Sequence, residues 1–180
     1  RALPHRLNPS PAMTEPLLLT TTQIETFVGS TPLTRASGFF FRRDARLYLV
    51  TCRHVLIDAA SGHYPERLEF KVHTDPVNLT STATCSVDLY ADGRARWHQA
   101  TDSGGEVDIA AIEIDAGTLP ATAVLHAFTP AHLLSNPGEI ETGTQLLIVG
   151  FPMGFHDTLH HLPVARQAVV ASSYGVRFQG

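Results

Sequence analysis

A histidine follows directly on a run of residues that favour a β-strand. In YLVTCRHVL, residues 48–56, His54 stands where a core would accept another valine. Imidazole suits proton transfer because its ordinary pKa lies near neutrality. Asp108 opens a second apolar run, DIAAIEI, where an unpaired charge would be costly to bury. A buried carboxylate that accepts from a histidine ring N–H fixes the tautomer and stabilises the imidazolium, so the two residues are a candidate base and orienting acid.

Each of these residues also has a plainer interpretation. A histidine at the end of a strand is often a hydrogen-bonded core or turn residue, and an aspartate at the start of a strand often belongs to a turn. Neither His54 nor Asp108 identifies a reaction by itself.

The elements that must position these residues are predicted to be all-β. Short apolar runs alternate with Gly, Pro and Asp turns, which indicates a sandwich or barrel. Residues 38–41 and 47–50 flank a polar turn and predict a hairpin. Further strands are predicted at residues 68–73, 79–90, 95–99, 109–114, 145–149 and 165–172. Two segments are predicted to be helical: residues 21–28, where Ile24, Phe27 and Val28 share a face, and a turn at residues 131–134.

Three features occur in order along the chain, and the first of them consists of two segments. SGF at 37–39 precedes LVTCRHV at 49–55, DIAAIEI follows at 108–114, and VGFPMG at 149–154 comes last. Over residues 35–175 this order resembles the trypsin-like serine peptidases, and more closely their bacterial HtrA-like branch. The resemblance implies an all-β double barrel and peptide-bond hydrolysis by a His-Asp-Ser triad. It further implies that His54 is the general base, that Asp108 orients it, that the substrate is a polypeptide and that no cofactor is needed.

The resemblance divides the chain into three parts. Residues 1–16 are expected to be a tail that includes vector-derived sequence, since Met13 offers a native start. Residues 17–135 are expected to form the complete first barrel, and residues 136–180 the beginning of the second. The turn signal Asn136-Pro137-Gly138 marks the boundary.

The nucleophile that the resemblance requires is missing from these residues. The family's Gly-x-Ser-Gly-x-Pro motif does not occur, and Asp102-Ser103-Gly104-Gly105 imitates part of it too early in the chain, so Ser103 is predicted to lie in a flexible loop. Ser172 and Ser173 lack a preceding glycine. The catalytic serine is therefore expected after Gly180, and these 180 residues are expected to be an inactive fragment. The alternative is a non-catalytic binding or sensor module that keeps the protease fold.

The charge and the length of the apolar runs argue against nucleic acid and membrane as partners. A formal charge of −4, from 13 basic and 17 acidic residues, gives no basic stripe for nucleic acid. The longest aliphatic run, residues 146–149, is far short of the roughly 20 residues that a membrane helix needs. Strands from residue 144 to 175 are expected to have unpaired edges and to drive self-association.

Cysteines and histidines raise two lesser questions. Cys52 and Cys85 are too few for a disulfide framework and are predicted to be small core residues with free thiols, which favours the cytoplasm. His156, His160 and His161 offer a zinc site as a third hypothesis. Gly154 before them and Pro163 after them nevertheless favour a loop. Trp97 is predicted to pack inside the barrel.

Overall fold

The computed structural model describes residues 15–174, so most of the predicted tail and the last six residues of the predicted second barrel lie outside the described residues. Eleven strands occur within that range. They are β1 Thr21–Val28, β2 Thr31–Arg43, β3 Arg46–Thr51, β4 Arg67–His73, β5 Thr82–Asp88, β6 Tyr90–Ala91, β7 Arg94–Ala95, β8 Trp97–Asp102, β9 Gly105–Ile114, β10 Gln145–Gly150 and β11 Val164–Val169. One short helix, α1 (Arg53–Leu56), follows β3, and short 3₁₀ turns lie at Pro16–Leu19, Ala116–Thr118, Pro130–His132, Pro137–Glu139 and Pro152–Gly154.

Seven strands form one antiparallel sheet in the order β5-β4-β1-β2-β3-β9-β8. The two strands at opposite ends of this order contribute Val87 and Trp97 to the same buried cluster. Side chains from both ends of a sheet meet in one core only if the sheet curls around it, as in a barrel. The amide of Arg96 donates to the carbonyl of Leu89 at 2.9 Å and links the chain segments beside those two ends. The prediction of an all-β chain is confirmed, and Trp97 is buried as predicted.

The predicted helix at residues 21–28 is wrong, because this segment is strand β1. Its burial alternates, with Thr22, Ile24 and Thr26 facing inward. Strand β1 pairs with both β2 and β4, which satisfies its backbone on each side. Threonine is β-branched and favours a strand, and the alternating pattern prevails over the helical face drawn through Ile24, Phe27 and Val28.

The hairpin predicted between residues 38 and 50 is confirmed. Strands β2 and β3 pair from Phe39 opposite Val50 to Arg43 opposite Arg46. Asp44, in the two-residue turn, adopts a left-handed φ of 55°, which aspartate tolerates better than most residues. A helical turn is also found near residues 131–134, as the 3₁₀ segment Pro130–His132.

Strands β10 and β11 form a separate two-stranded antiparallel sheet. It follows the predicted boundary at Asn136, and several of its apolar side chains are exposed: Leu147 and Ile148 each keep 57% of their surface, and Val169 keeps 55%. Over residues 15–174 the structure contains no helix long and apolar enough to cross a membrane.

Candidate active site

His54 is presented by the turn that ends strand β3. The chain leaves the sheet at Thr51 and forms α1, a single helical turn. Val55 and Leu56 are buried in the core, 5% and 0% exposed, and they anchor this turn. His54, on the same turn, stays exposed. The apolar run of the sequence therefore fixes the backbone, while the histidine side chain remains accessible.

Asp108 comes from the neighbouring strand. Strands β3 and β9 are antiparallel, with Thr51 opposite Ala110. Continuing that register brings Asp108 opposite the point where the chain turns into α1. Asp108 also shares the face of Ala110 and Ile112, both buried, because alternate residues of a strand point the same way. Although 54 positions separate them in sequence, His54 and Asp108 meet at the same end of the sheet.

Two hydrogen bonds join His54 and Asp108. The ring Nδ1 of His54 lies 2.7 Å from Oδ2 of Asp108, and the backbone N–H of His54 donates to Oδ1 at 3.0 Å. The second bond fixes the carboxylate, so its other oxygen faces the ring. A carboxylate accepts and cannot donate, so Nδ1 carries the proton and Nε2 is left as the acceptor.

The charge of Asp108 is maintained by its surroundings. Partial burial pushes its pKa upward, but the backbone N–H and the ring of His54, together with the charge of Arg53, outweigh burial and hold the pKa below its ordinary value. Arg53 is itself held by Glu106 at 3.1 Å. The carboxylate is therefore ionised at neutral pH.

The expectation that the carboxylate of Asp108 is buried is wrong. The side chain of Asp108 is 55% exposed and that of His54 is 59% exposed. Asp108 lies two residues before Ala110, the first fully covered side chain of its face, so it falls outside the core.

Ser37 links its own segment, SGF, to LVTCRHV and to VGFPMG through two hydrogen bonds. Thr51 donates its hydroxyl to the carbonyl of Ser37 at 2.9 Å, which ties the histidine-bearing strand to β2. The hydroxyl of Ser37 accepts from the backbone N–H of Phe151 at 2.8 Å, which ties β2 to the turn after β10. Gly150 permits this approach, because a Cβ there would lie 2.8 Å from the Ser37 oxygen. Sequence reasoning noticed the motif but not this role of Ser37.

None of the serines considered from the sequence is placed at His54 by a contact in the described residues. Ser103 lies in the two-residue turn between β8 and β9, where the N–H of Gly104 donates to Asp102 at 2.8 Å. Ser172 and Ser173 are exposed and follow the end of β11. Ser61 shares a cavity of about 240 Å³ with His54, but its hydroxyl donates to Oδ2 of Asp58 at 2.5 Å.

Cys52 is a site residue that sequence reasoning missed. Cys85 is buried as predicted, but Cys52 is exposed, so its assignment to the core is wrong. Its sulfur lies within 4.8 Å of ligand atoms of both His54 and Asp108. Partial burial, followed by the charge of Asp108, raises the pKa of the thiol, so Cys52 is a protonated thiol at neutral pH and a poor nucleophile. In the sequence, only its position two residues before His54 indicated that Cys52 could lie near the site.

The histidine-rich segment is not a gathered metal site in the described residues. His160 lies against Asp157, Nδ1 to Oδ2 at 2.6 Å, and this contact is the main reason that the pKa of Asp157 falls to about 2. His156 and His161 stack with their ring centroids 5.8 Å apart. Across residues 15–174, the one group of three ligand atoms close enough to share an ion is Cys52, His54 and Asp108.

Comparison with known proteins agrees with this geometry. Residues 36–178 match the family model of the trypsin-like peptidase domain, a span that contains the hairpin, α1, β9 and both strands of the second sheet. The chain belongs to this family of trypsin-like serine peptidases and has its all-β fold. A search of curated proteins gave no match.

Proposed function

We propose that this chain supplies the general base and the orienting acid of a serine endopeptidase, with His54 as the base and Asp108 as the acid. The observation that carries the proposal is the pair of hydrogen bonds between these residues, at 2.7 and 3.0 Å. Membership of a peptidase family supports a protease-like function and a polypeptide substrate.

The chemistry follows from the tautomer. With its proton on Nδ1 and shared with Asp108, His54 offers the lone pair of Nε2 to a serine hydroxyl. As the serine oxygen attacks the peptide carbonyl, its proton moves to Nε2, and Asp108 stabilises the imidazolium. The imidazolium then gives that proton to the leaving amine, and water completes hydrolysis of the acyl-enzyme. Asp108 stays ionised throughout because its pKa is low.

In this proposal the nucleophile lies outside these 180 residues, in the Gly-x-Ser-Gly-x-Pro motif that the HtrA-like branch of the family would supply. No Gly-x-Ser-Gly-x-Pro motif occurs in the sequence, and the hydroxyl of Ser61, which shares the cavity of His54, is engaged by Asp58. Without the serine and its oxyanion donors, the 180-residue chain does not hydrolyse peptides, since each contributes orders of magnitude in rate.

The domain division and the location are proposed on more general grounds. Residues 17–135 contain the seven-stranded sheet, and residues 136–180 contain β10 and β11, which supports two barrels that meet near Asn136. Cys52 and Cys85 are free thiols, a state that the reducing cytoplasm preserves.

Labelling with a serine-directed fluorophosphonate tests the proposal. The 180-residue chain should remain unlabelled, and a chain extended by the coding sequence that follows Gly180 should be labelled at a serine in Gly-x-Ser-Gly-x-Pro. In the extended chain, His54→Ala should abolish labelling, whereas His98→Ala, a change at an exposed histidine of β8, should not.

Two outcomes would contradict it. Labelling of Ser103, Ser172 or Ser173 in the 180-residue chain would place the nucleophile elsewhere. A stop codon after Gly180, or a replaced serine in the extended chain, would favour the alternative of a non-catalytic binding or sensor module.

A further inference from the structure

Cys52, His54 and Asp108 form a cluster of three residues, each of a type that can bind a metal ion. One sulfur, one ring nitrogen and one carboxylate oxygen lie within 4.8 Å of one another. We propose that these three residues bind a zinc ion. This proposal does not depend on peptidase activity.

The chemistry of the set selects zinc. Mixed sulfur, nitrogen and oxygen ligation is typical of Zn²⁺, whereas Mg²⁺ and Ca²⁺ prefer sites made only of oxygen. Three protein ligands leave the fourth tetrahedral position for water or another small ligand. The thiol gives up its proton on binding, because only the thiolate is a zinc ligand.

The geometry needs only a small adjustment. Ligand atoms at 2.0–2.3 Å from a tetrahedral ion are roughly 3.3–3.8 Å apart. A pair at the 4.8 Å limit of the set must therefore close by at most about 1–1.5 Å, and the 2.7 Å pair of His54 and Asp108 must open by about 0.6–1.1 Å. All three side chains are exposed, which leaves them room to move. The backbone is better fixed: Cys52 precedes α1 directly, and the N–H of His54 holds Oδ1 of Asp108 at 3.0 Å.

The ion would take the place of the proton that His54 and Asp108 now share. Nδ1 of His54 and Oδ2 of Asp108 are 2.7 Å apart, so no ion fits between them without opening the pair. Zinc therefore breaks the hydrogen bond that orients the ring. The bound form and the hydrogen-bonded form of His54 and Asp108 exclude each other.

A second histidine–aspartate pair provides an internal control. His160 and Asp157 are in contact at 2.6 Å with the same two atom types, but no cysteine joins them in a set of three ligand atoms in the described residues. If a histidine–aspartate pair alone were enough, zinc would bind there too. The proposal assigns the site to Cys52.

Calorimetric titration of the purified chain with Zn²⁺, under a non-thiol reductant, tests the assignment. One ion should bind per chain. Cys52→Ala and Asp108→Asn should each weaken binding by at least about tenfold, the scale of losing even a supporting residue of a metal site. His160→Gln should bind zinc like the unmodified chain.

Cobalt(II) gives a second readout that does not rely on affinity. A thiolate–cobalt charge-transfer band should appear with the unmodified chain and disappear in Cys52→Ala, although Cys85 is still present there. Circular dichroism of the metal-free variants checks that they fold. Absence of zinc binding, a band that survives in Cys52→Ala, unchanged zinc binding by Asp108→Asn, or loss of binding in His160→Gln would each overturn the proposal.

Discussion

Replacing Gly38 by alanine should destabilise the fold, because the added methyl group has no room. Gly38 lies on β2, and a Cβ there would be 2.5 Å from Cδ1 of Ile24 and 3.0 Å from Cδ1 of Leu49. Both neighbours are fully buried. Overpacking a core typically costs about 1–3 kcal/mol, and losing glycine's freedom in the unfolded chain returns about 0.4–1 kcal/mol. We expect a net loss of about 1–2 kcal/mol in the free energy of unfolding.

Urea denaturation followed by tryptophan fluorescence measures this loss, since Trp97 is part of the same core. Gly117→Ala is the matched control. Gly117 is exposed, and the nearest atom to its added Cβ would be Oδ1 of Asp115 at 3.4 Å, an ordinary contact. The control should change the free energy of unfolding by no more than about 0.5 kcal/mol.

A double-mutant cycle tests the cause. Ile24→Val removes Cδ1, the atom that would lie closest to the new methyl group. Alone it should cost about 0.5–1.5 kcal/mol, whereas in the Gly38→Ala background it should cost less or restore stability. The steric explanation fails if Gly38→Ala is as stable as the unmodified chain, or if Ile24→Val costs the same in both backgrounds.

Two further predictions concern pH and self-association. Burial, followed by the charge of Lys71, lowers the pKa of His161, so the native state resists protonation and its stability falls as the pH drops below about 6.5, the value of an unperturbed histidine. Urea unfolding at pH 7.5 and 5.0 should show that the free energy of unfolding falls less in His161→Asn than in the unmodified chain. Asparagine is chosen because it tolerates the φ of 54° at this position. The control His98→Gln should show the same fall as the unmodified chain, and an equal fall in all three proteins refutes the prediction. The exposed apolar side chains of β10 should make the chain self-associate. Light scattering should show Leu147→Lys closer to a monomer, while Val77→Lys, at an exposed position outside β10, should behave like the unmodified chain. A monodisperse unmodified monomer would contradict this.

The residues of the candidate site were accessible to sequence reasoning because their types and order carry the information. His54 and Asp108 each adjoin an apolar strand, and the resemblance to trypsin-like peptidases implied that Asp108 orients His54, so that the two side chains meet. The described structure has β3 beside β9 with the two side chains 2.7 Å apart. Catalytic roles for them remain a prediction, to be tested by labelling.

Exposure was less predictable than contact. The carboxylate of Asp108 and the thiol of Cys52 were expected inside and are exposed. Hydrophobic neighbours in sequence indicate that a strand is buried, but they do not locate the residue at which the covered face ends. The prediction of a helix at residues 21–28 was wrong because eight residues fit both patterns. Ile24, Phe27 and Val28 fit one face of a helix, while Thr22, Ile24 and Thr26 fit one face of a strand. Pairing with β2 and β4 decided between them.

Ser37 explains why the motifs belong together. Its carbonyl holds Thr51, at the end of the strand from which the His54 turn departs, and its hydroxyl holds the backbone of Phe151 at the start of the turn after β10. Gly150 must lack a side chain for the second contact to form. The segments around residues 37, 51 and 150 are therefore linked by hydrogen bonds. They attach the turn after β10 to β2, which is the strand beside the one that leads to the base.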